Sequence, residues 1–170
     1  MIKAQLIKEI VSTNESKAFN LYKKSCFGKP IGEKIRYTLS EAFFLMEKKK
    51  IEIYSKNKKL TKKEIESKFQ KIDKKFLIKY PVFKDLREKG YIIKTALKFG
   101  ADFRVYDKGK KPGKVHAKWI VFTEHETKKL SWQEFSAKNR VAHSTKKKLL
   151  LAILDEESDV SYYEVGWVKP

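Results

Sequence analysis

Residues 97–116 read LKFGADFRVYDKGKKPGKVH and contain the strongest fold signal in the chain. From 101 to 106, successive side chains lie on opposite faces of the strand. Arg104 and Tyr106, two positions apart, therefore share one face. This period of two predicts a half-buried β-strand. The stretch therefore predicts a strand that ends on a tyrosine.

A basic turn is predicted directly after this strand, at 107–114. Two glycines and a proline require the chain to turn there, and the turn carries Lys108, Lys110, Lys111 and Lys114. A second strand is predicted at 117–123, so Tyr106 and His116 lie at opposite rims of the turn. Most tyrosines and histidines at strand ends are structural. A pair beside lysines can, however, transfer protons on a phosphodiester without a metal.

The composition predicts an acidic partner. The 170 residues carry a net charge of +19, with 41% hydrophobic and 36% charged residues. Nucleic acid is the commonest partner of so basic a chain, and a membrane surface is the other candidate. Part of the lysine excess is also typical of heat-adapted or AT-rich genomes.

Membrane spans, disulfides and metal sites are not expected. No apolar run approaches the ~20 residues that span a bilayer, and the N-terminus lacks a signal-peptide core. Cys26 is the single cysteine, so no intrachain disulfide can form, and a cytoplasmic location is expected. The histidines show none of the usual metal-ligand spacings, so neither a metal nor another cofactor is expected; they are His116, His125 and His143.

The N-terminal part predicts a small α+β domain. A strand is expected at 2–11, and Thr38 or Ser40 is expected to cap a helix. Thr61 with Glu64 forms a capping-box pattern before another helix. The composition changes near residue 75, so we predict domains at 1–75 and 76–170.

The C-terminal part predicts a second α+β domain. A long helix is expected at 74–89, bent or broken at Pro81. Ser131 is expected to cap a helix that carries Trp132. Two strands are predicted at 149–154 and 160–168, separated by an acidic turn.

Long segments of the chain resemble one known family. KDLREKGYIIKTALKFGADFRVYDKGKKPGKVHAKWIVF (84–122) and NRVAHSTKKKLLLAILDEESD (139–159) resemble the catalytic domain of the archaeal tRNA-splicing endonucleases, in the right order. FNLYKKSCFGKPIG (19–32) and LSEAFFLMEKKKIEI (39–53) resemble their N-terminal domain. The resemblance implies a restriction-endonuclease-like catalytic domain, a mixed sheet flanked by helices, that excises introns from precursor tRNA.

The resemblance also implies a catalytic set. Tyr106 stands at the position of the family's general base, His116 at that of its general acid, and Lys147 at that of the lysine that offsets charge on phosphorus. The implied reaction is attack by the RNA 2′-hydroxyl, which leaves a 2′,3′-cyclic phosphate and a 5′-hydroxyl. A phenol has a high reference pKa of about 10, which neighbouring cations lower. Lys146 replaces an arginine typical of the family, so Lys146 and Lys148 remain alternatives to Lys147.

Further residues are expected to bind RNA or to assemble the enzyme. Arg140 matches an arginine implied to stack on a bulged base, although a surface helix arginine is an equal alternative. Contacts with RNA are also expected from Lys108, Lys110, Lys111, Lys114 and Lys146. The resemblance implies that an acidic loop docks into another subunit; its residues here are Asp155, Glu156, Glu157 and Asp159.

The implied substrate is RNA folded as a bulge–helix–bulge, which needs two active sites. A homotetramer is therefore the first expectation, and a heterotetramer with a sister subunit is the second. The main functional alternative is a non-catalytic RNA-binding or assembly subunit of the same complex. The net charge of the chain is also compatible with a ribosome-associated structural protein.

Overall fold

The computed structural model describes residues 1–170, which form two compact units, Met1–Leu77 and Ile78–Pro170. Each unit contains a β-sheet and helices. The predicted α+β class is confirmed, while the division of functional domains at residue 75 stays a prediction. None of the helices combines the length and apolarity that crossing a membrane requires.

The N-terminal unit is built on a six-stranded sheet. Its strands are β1 (Ile2–Ile7), β2 (Ile10–Thr13), β3 (Lys29–Ile31), β4 (Lys34–Tyr37), β5 (Ile51–Ser55) and β6 (Lys58–Lys59). Its helices are α1 (Ser16–Ser25), α2 (Leu39–Glu47) and α3 (Lys62–Ile72). The strand order is β3-β4-β2-β1-β5-β6, and the β1–β5 pair is parallel while the other pairs are antiparallel.

Capping boxes start two of these helices. The Thr38 and Thr61 side chains accept hydrogen bonds from the N–H groups of Glu41 and Glu64, whose carboxylates accept in return from the cap N–H groups. The predicted cap at Thr61 is confirmed, and of the two candidates for α2 the structure selects Thr38. Glu41 also accepts from the backbone N–H of Gly28 at 3.0 Å, which ties the preceding loop to the start of α2.

The strand predicted at 2–11 is wrong in one respect, because the segment is a hairpin. Ile7 pairs with Ile10 across a two-residue turn, and Lys8 adopts a left-handed conformation with φ of 55°. The apolar alternation at 2, 4 and 6 stops at Lys8, and burial resumes at Val11 and Thr13, which are odd-numbered positions. This change of phase marks the turn, which the prediction of a single strand overlooked.

The C-terminal unit is built on a five-stranded sheet. After α4 (Phe76–Glu88) come β7 (Ile92–Ala96), a 3-10 turn (Leu97–Phe99), β8 (Ala101–Tyr106), β9 (Trp119–His125), α5 (Trp132–Ser144), β10 (Lys148–Leu154) and β11 (Val160–Val165). The strand order is β11-β10-β9-β8-β7, with β9 and β10 parallel and the other pairs antiparallel. The helix α5 makes the crossover between the two parallel strands.

The core of this unit lies between the sheet and α5. Ile120 and Phe122 of β9 and Leu149 of β10 pack with Ala142 of α5. A capping box at Ser131 and Glu134 starts α5, as predicted. The predicted place of Trp132 in that helix is confirmed, but its side chain is 83% exposed and contributes nothing to this core.

Three predicted elements of this unit have different bounds. β9 begins at Trp119 rather than at 117, and β11 ends at Val165 rather than at 168. α4 runs unbroken through Pro81, so of the two predicted alternatives the break is wrong and the bend stays a prediction. Proline removes one helical hydrogen bond, and burial of Val82 and Phe83 on the same helix offsets that loss.

Candidate active site

Three strand ends meet at one edge of the C-terminal sheet. β8 runs antiparallel to β9, so Tyr106 at the end of β8 lies close to the start of β9. β10 runs parallel to β9, and Lys148 pairs with Trp119, so both strands begin at that same edge. His116 lies just before β9 and Lys147 just before β10. The topology therefore gathers residues that are distant in sequence.

A pocket of about 370 Å³ opens at this edge. Tyr106, His116 and Lys147 all line it, and so does Lys114 of the basic turn. The other lining residues are Phe99, Arg104, Pro112, Gly113, Val115 and Ala117. No aspartate or glutamate lines the pocket, so its charged walls are suited to an anion.

Tyr106 and His116 differ in their accessibility. The tyrosine is 4% exposed at the end of its strand, whereas the histidine is exposed. The sheet thus fixes the phenol, while the imidazole remains open to a ligand. Two groups of this kind that line one pocket can move protons at the two oxygens that flank one phosphorus atom.

The three adjacent lysines at 146–148 have different surroundings. The Lys147 Nζ donates to the carbonyl of Thr145 at 3.0 Å and lies 5.5 Å from the centre of the Phe99 ring. Lys146 is exposed in a left-handed conformation with φ of 56°. Lys148 pairs instead with a carboxylate on β11. Of the three, only Lys147 lines the pocket.

That carboxylate is Glu164, which receives two hydrogen bonds. The indole Nε1 of Trp119 donates to it at 2.7 Å and the Lys148 Nζ at 3.0 Å. These two bonds, first the one from Trp119, hold the pKa of Glu164 below its usual value. The two hydrogen bonds link β11 to β9 and β10, and Glu164 serves as the charge partner of Lys148.

The basic turn is folded but only part of it lines the pocket. The N–H of Lys110 donates to the carbonyl of Asp107 at 3.0 Å, and that of Lys114 to Lys111 at 3.2 Å. Lys114 lines the pocket, and the Lys108 Nζ lies over the ring of Tyr91 at 5.1 Å instead. Lys110 and Lys111, like Lys146, do not line the pocket.

Arg140 lies apart from these residues. It is exposed on α5 and lines a separate pocket of about 520 Å³ with Phe135 and Trp167. Trp167 also packs edge-on against His143, with 3.9 Å between ring centres. The surface around Arg140 is therefore aromatic and accessible.

The acidic turn at 155–159 is tightly organised by its first residue. The Asp155 carboxylate accepts from the N–H groups of Glu157 and Asp159, both at 2.9 Å. Glu156, Glu157 and Asp159 are exposed, whereas Asp155 is partly buried. Asp155 thus holds the turn, and the other three carboxylates face solvent.

β11, which follows this turn, is the edge strand of the sheet. Its Tyr162 hydroxyl donates to Asp85 of α4 at 2.6 Å. Burial, then the hydrogen bond to Asp85, raises the pKa of Tyr162. Tyr163 points the other way and is 58% exposed, so β11 presents an aromatic side chain to solvent.

Phe99 and Arg104 are among the pocket residues that the prediction from sequence missed. The signal for Arg104 was present, because it shares a face of β8 with Tyr106. Phe99 belongs to a 3-10 turn, which carries no sequence periodicity. No group of three or more histidine, cysteine, aspartate or glutamate side chains is placed to hold a metal ion.

Comparison with protein families identifies both parts of the chain. Residues 76–162 match the model of the tRNA intron endonuclease catalytic C-terminal domain, and residues 2–66 match that of the N-terminal domain of the same enzymes. The fold and these matches define a two-domain RNA-processing nuclease.

Similar proteins agree over nearly the whole chain. A tRNA-splicing endonuclease of Nanoarchaeum equitans is 46% identical over 138 residues, which cover 78% of this chain and 88% of that protein. Those of Thermococcus kodakarensis and Methanothermobacter thermautotrophicus are 41% and 36% identical, over 94% and 99% of both chains. The chain belongs to the tRNA-splicing endonuclease family, and the resemblance seen in the sequence is confirmed.

Proposed function

We propose that this protein excises introns from precursor tRNA by cutting RNA at bulge–helix–bulge splice sites without a metal ion. The single observation that carries the proposal is the pocket lined by Tyr106, His116 and Lys147. Its walls hold a phenol, an imidazole and cationic side chains, but no carboxylate. That set suits phosphodiester chemistry by proton transfer and charge stabilisation.

The proposed reaction is a transesterification in which RNA supplies the nucleophile. Tyr106, as the phenolate, accepts the proton of the 2′-hydroxyl, whose oxygen attacks the adjacent phosphorus. The bond from phosphorus to the 5′-oxygen breaks, and His116, as the imidazolium, donates a proton to that oxygen. Lys147 stabilises the negative charge that grows on the phosphorane. The products are a 2′,3′-cyclic phosphate and a 5′-hydroxyl, and DNA lacks the nucleophile.

The proposed RNA interface extends beyond the pocket. Lys108, Lys110, Lys111 and Lys146 are charges close in sequence to the pocket residues and suit backbone phosphates. Arg140 is exposed beside aromatic side chains, and a guanidinium there can stack on an unpaired base. Phosphate contacts of this kind release counterions, so binding should weaken steeply as salt is raised.

We further propose that the enzyme works as a homotetramer, with a heterotetramer containing a sister subunit as the second possibility. A bulge–helix–bulge contains two cleavage sites, and one chain carries one pocket with the Tyr106, His116 and Lys147 set. The exposed edge strand β11, with Tyr163 and nearby Trp167, supports a subunit interface. The exposed carboxylates of the acidic turn support docking into a basic surface of another subunit.

A cleavage assay in EDTA tests the proposal with wild-type protein and two variants. Wild-type protein should cut bulge–helix–bulge RNA, and it should bind but not cut the same RNA with a 2′-deoxy nucleotide at the cleavage site. His116→Ala should slow cleavage by about 10²–10⁴-fold, and Tyr106→Phe should lose rate while keeping its melting temperature. Cutting of the deoxy substrate at the same bond would refute attack by the 2′-hydroxyl. Binding without any cutting would instead favour the non-catalytic subunit.

A further inference from the structure

Arg104 is a pocket residue whose role the proposed reaction leaves open. It lies on β8 two positions before Tyr106, on the same face of the strand. Both side chains line the pocket that also contains His116 and Lys147. Arg104 therefore stands beside the groups that would act on the scissile phosphodiester.

The guanidinium of Arg104 has unused hydrogen-bonding capacity. Its Nε is buried and has no hydrogen-bond partner. A buried donor without a partner costs free energy, and native proteins keep few of them. Because the Nε is shielded from solvent, a ligand would reach the guanidinium through its Nη groups, and the pocket offers no carboxylate that could pair with them instead.

The neighbours of Arg104 in the sheet do not neutralise its charge. Its cross-strand partners are Lys94 on β7 and Ile120 on β9. Neither of these side chains carries an acceptor for the guanidinium.

We propose that Arg104 binds the non-bridging oxygens of the scissile phosphate, and the proposal rests on the function proposed above. The two Nη groups of a guanidinium form a planar fork that matches two phosphate oxygens. Arg104 would orient the phosphate for attack and stabilise its growing charge, in addition to Lys147. The Nε is buried and takes no part in this fork.

The test compares Arg104→Met, Arg104→Lys and wild type as full-length proteins under single-turnover conditions. Arg104→Met should cut bulge–helix–bulge RNA about 10²–10³-fold more slowly, and Arg104→Lys should recover part of the rate because it restores charge but not the fork. The melting temperature of Arg104→Met should equal or exceed that of wild type, because an unsatisfied buried donor is removed. Lys94→Met is the matched control, since it removes a cation from the adjacent position outside the pocket lining, and its rate should stay within about threefold of wild type.

A sulfur substitution in the substrate separates phosphate binding from a structural role. Replacing one non-bridging oxygen of the scissile phosphate by sulfur should slow wild type more than it slows Arg104→Met, because the variant has already lost that contact. Equal effects of sulfur in the two proteins, a wild-type rate in Arg104→Met, or a loss of rate that follows a loss of melting temperature would each overturn the proposal. If wild type does not cut the RNA at all, the proposed function fails and this inference fails with it.

Discussion

Replacing Lys147 by methionine tests which of the three adjacent lysines at 146–148 supports catalysis. Methionine keeps much of the aliphatic stem and removes the charge from the pocket. At about 4 Å and an effective dielectric constant of about 20, one charge pair is worth about 4 kcal/mol. A factor of ten in rate corresponds to about 1.4 kcal/mol, so we expect cleavage to slow by about 10²–10³-fold.

The same substitution should have a small effect on stability. It removes the hydrogen bond from the Lys147 Nζ to the Thr145 carbonyl, and such a bond contributes about 1 kcal/mol. The melting temperature should therefore fall by only about 2–8 °C. Single-turnover cleavage well below the melting temperature, together with binding of the 2′-deoxy RNA, measures the two effects separately.

Lys148→Met is the matched control for this experiment. Lys148 pairs with Glu164 in an exposed salt bridge, and such pairs contribute about 0–1 kcal/mol. Its loss should leave the cleavage rate unchanged. The reasoning is refuted if Lys148→Met loses the rate and Lys147→Met keeps it, because charge in the pocket would then not be what matters.

Two more predictions concern assembly and stability. If the acidic turn docks into another subunit, the double variant Glu156→Gln, Glu157→Gln should reduce the particle mass measured by light scattering, and raised salt should do the same to wild type. Asp155 is not replaced, because it holds the turn. If the double variant keeps the wild-type mass, the turn is only a solvated hairpin. The matched control neutralises two exposed acids of the other unit, Glu9→Gln and Glu33→Gln. Hydrogen bonds from Lys58, then Thr61, lower the pKa of Glu64 from 4.5 to about 2, so its stabilisation is complete above about pH 4.5 and is lost as the pH falls towards 2. Glu64→Gln should therefore flatten the fall in melting temperature over that range, and an unchanged slope would contradict this assignment.

In the proposed reaction, proton transfer and charge stabilisation take place in the same pocket. Tyr106 is fixed by the sheet, His116 is open to solvent, and Lys147 is held by its bond to a backbone carbonyl. The three side chains are thus held in place to different extents, and each extent suits the role proposed for that side chain. A group that only offsets charge tolerates a backbone tether, whereas the proton donor must reach the leaving oxygen.

Local patterns in the sequence predicted much of the architecture. Thr61 with Glu64 and Ser131 with Glu134 marked two helix starts, because a capping box involves residues only three apart. The alternation at 101–106 predicted β8 with its observed bounds. Local patterns did not reveal the turn within 2–11, and they left open whether Pro81 bends or breaks its helix, which runs unbroken.

Sequence alone determined the family, the α+β class and the residue types of the candidate site, because these depend on composition, short-range patterns and long matching motifs. Only the tertiary structure decided that Lys147, rather than Lys146 or Lys148, lines the pocket with Tyr106 and His116. It did so through the parallel pairing of β10 with β9, with Lys148 in register with Trp119. Strand order and register arise from hydrogen bonds between segments far apart in the chain, and no local pattern encodes them.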